Sequence, residues 1–336
     1  MNASWPRPKA HATCALSVVV PVFNEEAVLP ALHRRLLAAV EGIAGGVEIV
    51  YVDDGSRDRS AAVLRQLHLN YPMVTVLRFS RNFGKEQAMA AGLQYARGNA
   101  VVVMDADLQH PPEMIPAMVQ AWRLGADVVN MRRRNRGDES LPKRLAARLF
   151  YRALNRLSDI PIPEDVGDFR LLSRRAVEAL NQLPEHNRFM KGLFAWIGFR
   201  QETLEFDVAE RAGGQSKWRA RQLWHLALEG ITAFSIAPLK VAAKVGLLSA
   251  LAAFGLGLYF FVRTLAYGDP VPGFPTLIVV VLMLGGLQLL AIGVLGEYLG
   301  RLWLESKRRP LFLVQDYEPA TAFTQRPMMA AHGGQQ

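Results

Sequence analysis

"VVVMDADLQHPPEM" (Val101–Met114) runs four apolar residues into two aspartates one residue apart, and then into a Pro-Pro stop. A short apolar run bounded by a turn signal reads as a strand buried on both faces. Asp105 and Asp107 then stand at the mouth of that strand. Where a strand turns into a loop, this D-x-D spacing can bring both carboxylates within reach of one hard cation. Such a cation takes oxygen ligands and shares them with phosphate groups. It could also neutralise charge developing on a diphosphate leaving group. Two solvated turn aspartates would have the same sequence, so the stretch alone leaves both readings open.

Working outward, the same alternation fills Leu16 to about Asp127. "LSVVVPVF", "EIVYVDD", "VTVLRFS", "AVVVMDAD" and "DVVNMR" read as strands. Between them, "EEAVLPALHRRLLAAVEGI", "RSAAVLRQLHLNY", "KEQAMAAGLQYARG" and "PEMIPAMVQAWRLG" read as helices. Continuous apolar strands separated by helices imply an α/β fold, a parallel sheet covered on both faces. Ligands on such sheets collect at the carboxyl ends of the strands. Asp53 and Asp54 in "VDDGS" end a second strand in the same way. No G-x-G-x-x-G follows the first strand and no G-x-x-x-x-G-K-[ST] occurs; "PVFNEE" stands there instead. A nucleotide bound here must be gripped by side chains and a metal rather than by a glycine-lined helix terminus.

After Arg132 the regularity fades. "RRRNRGDESLPKRLAARLFYRALNRLSD" holds a basic run and then an amphipathic helix, and "KWRARQLWHLALEGITAF" (Lys217–Phe234) is a second such helix. Arg-rich helices beside a membrane span can lie among the headgroups, although packing on a catalytic core with one solvated face would give the same pattern. Arg132, Arg133 and Arg134 read as a solvated or lipid-facing run. Two later segments are uncharged, Val245–Val262 and Thr276–Gly296, and each is long enough to cross the hydrocarbon layer. The loop between them carries no Lys or Arg beyond Arg263, whereas "RLWLESKRRP" after the second is basic. By the positive-inside rule both termini and the N-terminal domain are expected in the cytoplasm, with the chain multi-pass in an inner (plasma) membrane.

The chain has 336 residues, 51% hydrophobic, with a formal charge of +9 and a single cysteine, Cys14. The length suits a catalytic domain with an addition. The charge points to an anionic partner: nucleic acid, a phosphorylated substrate or lipid headgroups. One cysteine excludes an internal disulfide and a Cys-cluster metal site. "MNASWPRPKAHATCA" lacks a long apolar core, so no cleavable signal peptide is expected.

"VVVPVFNEE", "VDDGSRDRS", "RNFGKEQAMAAGLQYARG" and "MDADLQHPPE", in that order, closely resemble glycosyltransferase family 2. "GDFRLLSRR", "NRFMKGLFAWIGF" and "ERAGGQSKW" narrow the resemblance to its polyprenyl-phosphate sugar transferases, the relatives of dolichyl-phosphate mannose synthase and bactoprenol glucosyltransferase. The resemblance covers about Ser17 to Leu313. It implies a GT-A type, doubly wound, mainly parallel sheet, with interfacial amphipathic helices and two C-terminal transmembrane helices. The expected division is a flexible tail over 1–15, a catalytic domain over 16–235 with interfacial helices near 141–158 and 217–234, a two-helix membrane region over 236–310 with spans near 245–266 and 275–299, and a tail over 311–336, unstructured beyond Leu313.

The resemblance also implies roles. Pro21, Phe23 and Glu25, with Asp53 and Asp54, would hold the nucleoside, and Lys85 would frame the same pocket. Asp105 and Asp107 would bind Mg²⁺ or Mn²⁺ against the donor diphosphate, with Ala106 and Gln109 beside them. Asp168 would face the acceptor, orienting it or acting as a base. Arg211, Ser216 and Lys217 would close over the diphosphate and acceptor phosphate, and Arg188 is a further acceptor-side candidate. Relatives commonly have an acid where this chain has His110, which reads as a tolerated loop substitution rather than a metal ligand.

The implied partners are a nucleotide sugar, a polyprenyl phosphate and the membrane, not nucleic acid, and self-association is left open. The implied reaction is inverting transfer of glucose or a related sugar, from what the family suggests is a UDP-sugar, to undecaprenyl phosphate for cell-envelope glycan modification. GDP-mannose use in the manner of dolichyl-phosphate mannose synthase and a non-catalytic lipid-carrier subunit are the alternatives. A processive polysaccharide synthase would carry Q-x-x-R-W, which does not occur here.

Overall fold

The computed structural model describes residues 14–134, 166–185, 188, 190–207, 237–267 and 274–323. Four parallel strands form the centre: β1 (Cys14–Val22), β2 (Val47–Asp53), β3 (Val74–Phe79) and β4 (Gly98–Val103). Their β-branched runs are buried, β2 without exception. Helices α1 (Leu29–Val40), α2 (Ser60–Asn70) and α3 (Lys85–Tyr95) connect them. β4 ends at Val103, so Asp105 and Asp107 lie in the loop beyond the strand and not within it.

A 3₁₀ turn at Pro112–Met114 and helix α4 (Ile115–Arg123) lead to β5 (Val128–Arg133). Then come β6 (Val166–Ser173), α5 (Arg174–Gln182), α6 (Met190–Trp196) and β7 (Gln201–Phe206). β6 inserts antiparallel between β4 and β5, and β5 pairs parallel with β7. Among the described residues the sheet has eight strands in the order β7-β5-β6-β4-β1-β2-β3-β8. It is the mixed, mostly parallel GT-A-like sheet that the resemblance implied.

The expectation of an unstructured tail beyond Leu313 is corrected. β8 (Val314–Glu318) pairs antiparallel with β3, and a 3₁₀ turn follows at Thr321–Phe323. Phe312 stacks on Phe79 with centroids 5.0 Å apart, and the Ala320 N–H donates to Thr75 Oγ1 at 2.9 Å. Covering β3 in this way removes an open edge with unpaired backbone groups.

A buried charge ties the central strands together. Glu48 on β2 accepts from Ser17 Oγ and Thr75 Oγ1, both at 2.8 Å, and from the Arg97 N–H and Nε at 3.0 and 3.1 Å. Both oxygens are saturated, which is what makes an acid tolerable there. Glu48→Ala strands Arg97 and two hydroxyls, and should cost about 3–5 kcal/mol. A fall in the thermal unfolding midpoint would show it; an unchanged midpoint would mean that the network is dispensable.

The chain divides into two compact units, and the sheet belongs to the first. The second contains α7 (Ala237–Tyr267) and α8 (Phe274–Ser306). Within them Val241–Phe260 and Met283–Ser306 are long and apolar enough to cross a membrane. Both helices extend beyond the expected spans, and Leu247, Phe254, Leu289 and Leu299 are exposed on them. The amphipathic segments near 141–158 and 217–234 fall outside the described residues.

Candidate active site

Parallel pairing brings the loops after β1, β2, β3 and β4 to one edge of the sheet. The first two interlock. Asn24 and Glu25 donate their N–H groups to Ser56 Oγ and Ser60 Oγ at 3.0 and 2.9 Å, and Arg57 N–H returns to Asn24 Oδ1 at 2.8 Å. Asn24 sits at φ +56°, a left-handed conformation that asparagine tolerates better than most residues. Pro21 and Phe23 flank this latch, Phe23 being 43% exposed.

Asp53 and Asp54 are both buried. Asp53 Oδ1 accepts the Ser56 N–H at 2.9 Å, and its Oδ2 lies 3.4 Å from Arg78 Nε. Asp54 accepts the N–H groups of Phe83 and Gly84 at 2.7 and 2.9 Å, fastening the loop that delivers Lys85. Gly55 serves the same junction: its φ is +66°, and a Cβ there would come within 2.5 Å of the Arg81 carbonyl carbon.

Lys85, first residue of α3, joins two regions distant in sequence. Its ammonium is 2.6 Å from Asp105 Oδ1 and 2.6 Å from Asp168 Oδ2. Burial alone would raise the Asp168 carboxyl, but Lys85 and Lys191 bring it down to about 2. A carboxylate held so low is a poor proton acceptor at neutral pH. Asp168 Oδ1 is buried with no hydrogen-bond partner among the described residues. For Lys85 itself, burial opposes the charge but the two carboxylates prevail and raise its pKa.

Asp107 Oδ1 accepts the Gln109 N–H at 3.1 Å, and Leu108 between them has φ +63°. Ala106 and Gln109 are buried, and Gln109 Oε1 accepts from Arg133 Nη2 at 3.3 Å. Arg133 therefore reaches the D-x-D loop, which its place in a basic run did not disclose. Glu25 is pushed above the usual carboxylate range by burial and by the charges of Asp107, Asp58 and Asp105. Part of that shift is the negative field of Asp107, Asp58 and Asp105, which a divalent cation would offset. Among the described residues no three His, Cys, Asp or Glu side chains form a ready-made cage, so an ion at Asp105 and Asp107 would need oxygens from a ligand.

Other charged groups close the site from behind. Glu86 accepts the Met190 N–H at 3.2 Å, and burial with the Asp168 charge pushes its carboxyl up to about 7. Arg170 is buried with its guanidinium 3.8 Å over the Phe194 ring, and burial lowers its pKa to about 10. Neither stood out in the sequence, since each depends on partners remote along the chain. Arg188 is buried and donates to the carbonyls of Leu183 and Glu185 at 2.8 and 3.4 Å. Arg211, Ser216 and Lys217 lie outside the described residues.

The Glu86 shift fixes a pH dependence. Between the ordinary glutamate value of 4.5 and about 7, the unfolded chain has released this proton while the folded chain keeps it. Stability therefore falls as pH rises through that window and stays reduced above it. Glu86→Gln keeps an acceptor for Met190 and removes the charge. Its unfolding midpoint should gain on the parent more at pH 8 than at pH 5; an equal difference at both pH values would contradict the burial argument.

Residues 17–180 match the family model described as glycosyl transferase family 2, and residues 237–302 match the GtrB C-terminal hairpin. The chain is 46% identical over 301 residues to a bactoprenol glucosyl transferase of Shigella phage SfV, covering 90% of this chain and 98% of that protein. It is 45% identical over 304 residues to a glycosyltransferase of Synechocystis, covering 90% and 96%. A more distant likeness is to the crystal structure of glucosyl-3-phosphoglycerate synthase from Mycobacterium tuberculosis with Mn²⁺, UDP-glucose and phosphoglyceric acid, at 22% identity and a TM-score of 0.43, covering 68% of this chain and 84% of that one.

Proposed function

The chain belongs to glycosyltransferase family 2, and from that premise we propose that it moves glucose or a related hexose from a UDP-sugar to a polyprenyl phosphate, with inversion, at the cytoplasmic face of a membrane crossed by α7 and α8. The observation that carries this reading is the meeting of Asp105, Lys85 and Asp168 beside Asp107, at the edge where the parallel strands end. Bactoprenol glucosyl transferases align over nearly the whole chain, hairpin included, which supports both the lipid acceptor and the sugar.

Asp105 and Asp107 are the residues to hold Mg²⁺ or Mn²⁺, which when bound supplies positive charge to the departing nucleoside diphosphate. Lys85 bridges the Asp105 and Asp168 carboxylates, offsetting their mutual repulsion, and offers a cation to substrate phosphate. Pro21, Phe23, Glu25 and Asp53 line the nucleoside end. Asp54 supports that end indirectly, through the loop it fastens. Arg211, Ser216 and Lys217 are assigned to the diphosphate and the acceptor phosphate on the family resemblance alone.

A phosphate monoester is largely dianionic at neutral pH, so its oxygen can attack the anomeric carbon without a base. The bond from that carbon to the donor's β-phosphate oxygen breaks as the new one forms, and UDP departs with the electron pair. Asp168, held ionised at about 2, then orients the acceptor side through Lys85 instead of taking a proton. The protein supplies alignment and fixed charge.

The test is a donor screen against polyprenyl phosphate presented in a bilayer with Mn²⁺. UDP-glucose should give a lipid-soluble labelled product. GDP-mannose as the productive donor would transfer the reading to the mannose-synthase class. No transfer from any common nucleotide sugar would overturn it in favour of a non-catalytic carrier.

A further inference from the structure

His110 is the residue at which this chain departs from the pattern it otherwise follows, and the structure gives its side chain a definite task. β4 ends at Val103, and the Met104 N–H still bonds across to Val19 O at 3.1 Å. Asp105 is the next residue out, and a main-chain donor leaving a sheet needs a new acceptor. His110 Nδ1 provides it, accepting the Asp105 N–H at 3.0 Å and closing the segment Asp105–His110 into a ring. The Gln109 N–H to Asp107 Oδ1 bond sits inside that ring.

The imidazole cannot wander from this position. It is 2% exposed, stacks on Phe169 with centroids 5.0 Å and planes 16° apart, and meets Phe206 edge-on at 6.2 Å. An Nδ1 that accepts carries no proton, so the ring is the neutral Nε2–H form. With its Nδ1 lone pair committed to a main-chain N–H, the ring cannot use that atom to bind a cation.

We propose that His110 is a positioning residue: by accepting the Asp105 N–H from a ring wedged on Phe169, it sets the spacing of the Asp105 and Asp107 carboxylates without adding negative charge. Phe169 follows Asp168 on β6, so the ring braces the loop against the strand that carries the other partner of Lys85. The inference rests on the reading that Asp105 and Asp107 hold the cation. It names a support of that pair, of the kind that tunes affinity from behind the ligands.

Two substitutions separate packing from the hydrogen bond. His110→Phe keeps a ring for Phe169 and loses the acceptor; His110→Asn loses the ring but places Oδ1 near the Nδ1 position. Mn²⁺ binding to the full-length protein in detergent, followed by electron paramagnetic resonance, is the first readout. Amide hydrogen exchange at Asp105 in the metal-free protein is the second. His110→Phe should weaken Mn²⁺ binding about 10-fold or more and speed exchange at Asp105, with His110→Asn close to the parent in both. His110→Leu replaces His110→Phe if the latter does not fold.

Parent-like exchange and binding in the acceptor-free variant would overturn the proposal, and a loss confined to His110→Asn would mean that packing alone matters; equal losses in both variants would overturn it too, since the acceptor would then not suffice without the ring. A parent that binds no Mn²⁺ would instead remove the cation reading, while the exchange measurement would still decide whether His110 holds the loop.

Discussion

Asp107→Asn should lower turnover by about 10³-fold or more while leaving the fold intact. The expectation follows from what the two oxygens do. Oδ1 accepts the Gln109 N–H at 3.1 Å, and an asparagine Oδ1 can accept the same bond. The loop should therefore keep its shape, and the unfolding midpoint should move little, as for substitutions that break no buried contact. What disappears is one negative charge at a site where Asp107 already raises the Glu25 pKa. Steady-state rates with lipid acceptor and Mn²⁺, beside thermal unfolding, check both halves. Near-parent turnover would remove Asp107 from the site.

Lys85→Met is the second substitution with a large expected effect, and it separates two functions that meet at Asp105. In the parent the ammonium holds Asp105 and Asp168 at 2.6 Å each. Methionine keeps the length and removes the charge, leaving two carboxylates without their shared counterion. Turnover should fall about 10²-fold, since a fixed cation near the transferring phosphate is lost. Mn²⁺ affinity should not fall, and should rise, because a competing positive charge has left Asp105. Loss of Mn²⁺ binding in step with turnover would show that Lys85 shapes the loop rather than serving substrate phosphate.

How much of this could be read from sequence depends on how local each feature is. The four central strands declared themselves as apolar β-branched runs, and the structure ends each within a few residues of its expected bounds. β6 was not legible as a strand between β4 and β5, because its partners are fixed by a crossover that no local period records. β8 was missed for a related reason. "VQDYE" is short and polar, and it becomes a strand by taking up the open edge of β3. Its aromatic flank, Phe312 against Phe79 and Tyr317 against Tyr95, was the available signal.

The site divides in the same way. Asp53, Asp54, Asp105 and Asp107 are visible at strand ends because parallel topology sends strand ends to one edge. Their division of labour is not visible. Asp54 spends both oxygens on the Phe83 and Gly84 N–H groups, and nothing in "DDGS" distinguishes it from Asp53. The Lys85–Asp168 pair joins residues separated by 83 positions, and Arg133 to Gln109 by 24. His110 reads in the sequence as a tolerated loop substitution, since its value lies in Phe169 and Phe206, which arrive from two other strands.

The most direct measurement is a structure with UDP-glucose and Mn²⁺ bound, using the anomalous signal of the ion to place it without ambiguity. The mechanism requires the manganese peak about 2.1 Å from an Asp107 carboxylate oxygen, with the diphosphate on it and the Lys85 ammonium turned toward phosphate. A diphosphate seated away from the Asp105–Asp107 loop, or a manganese ion held by other residues, would contradict the mechanism.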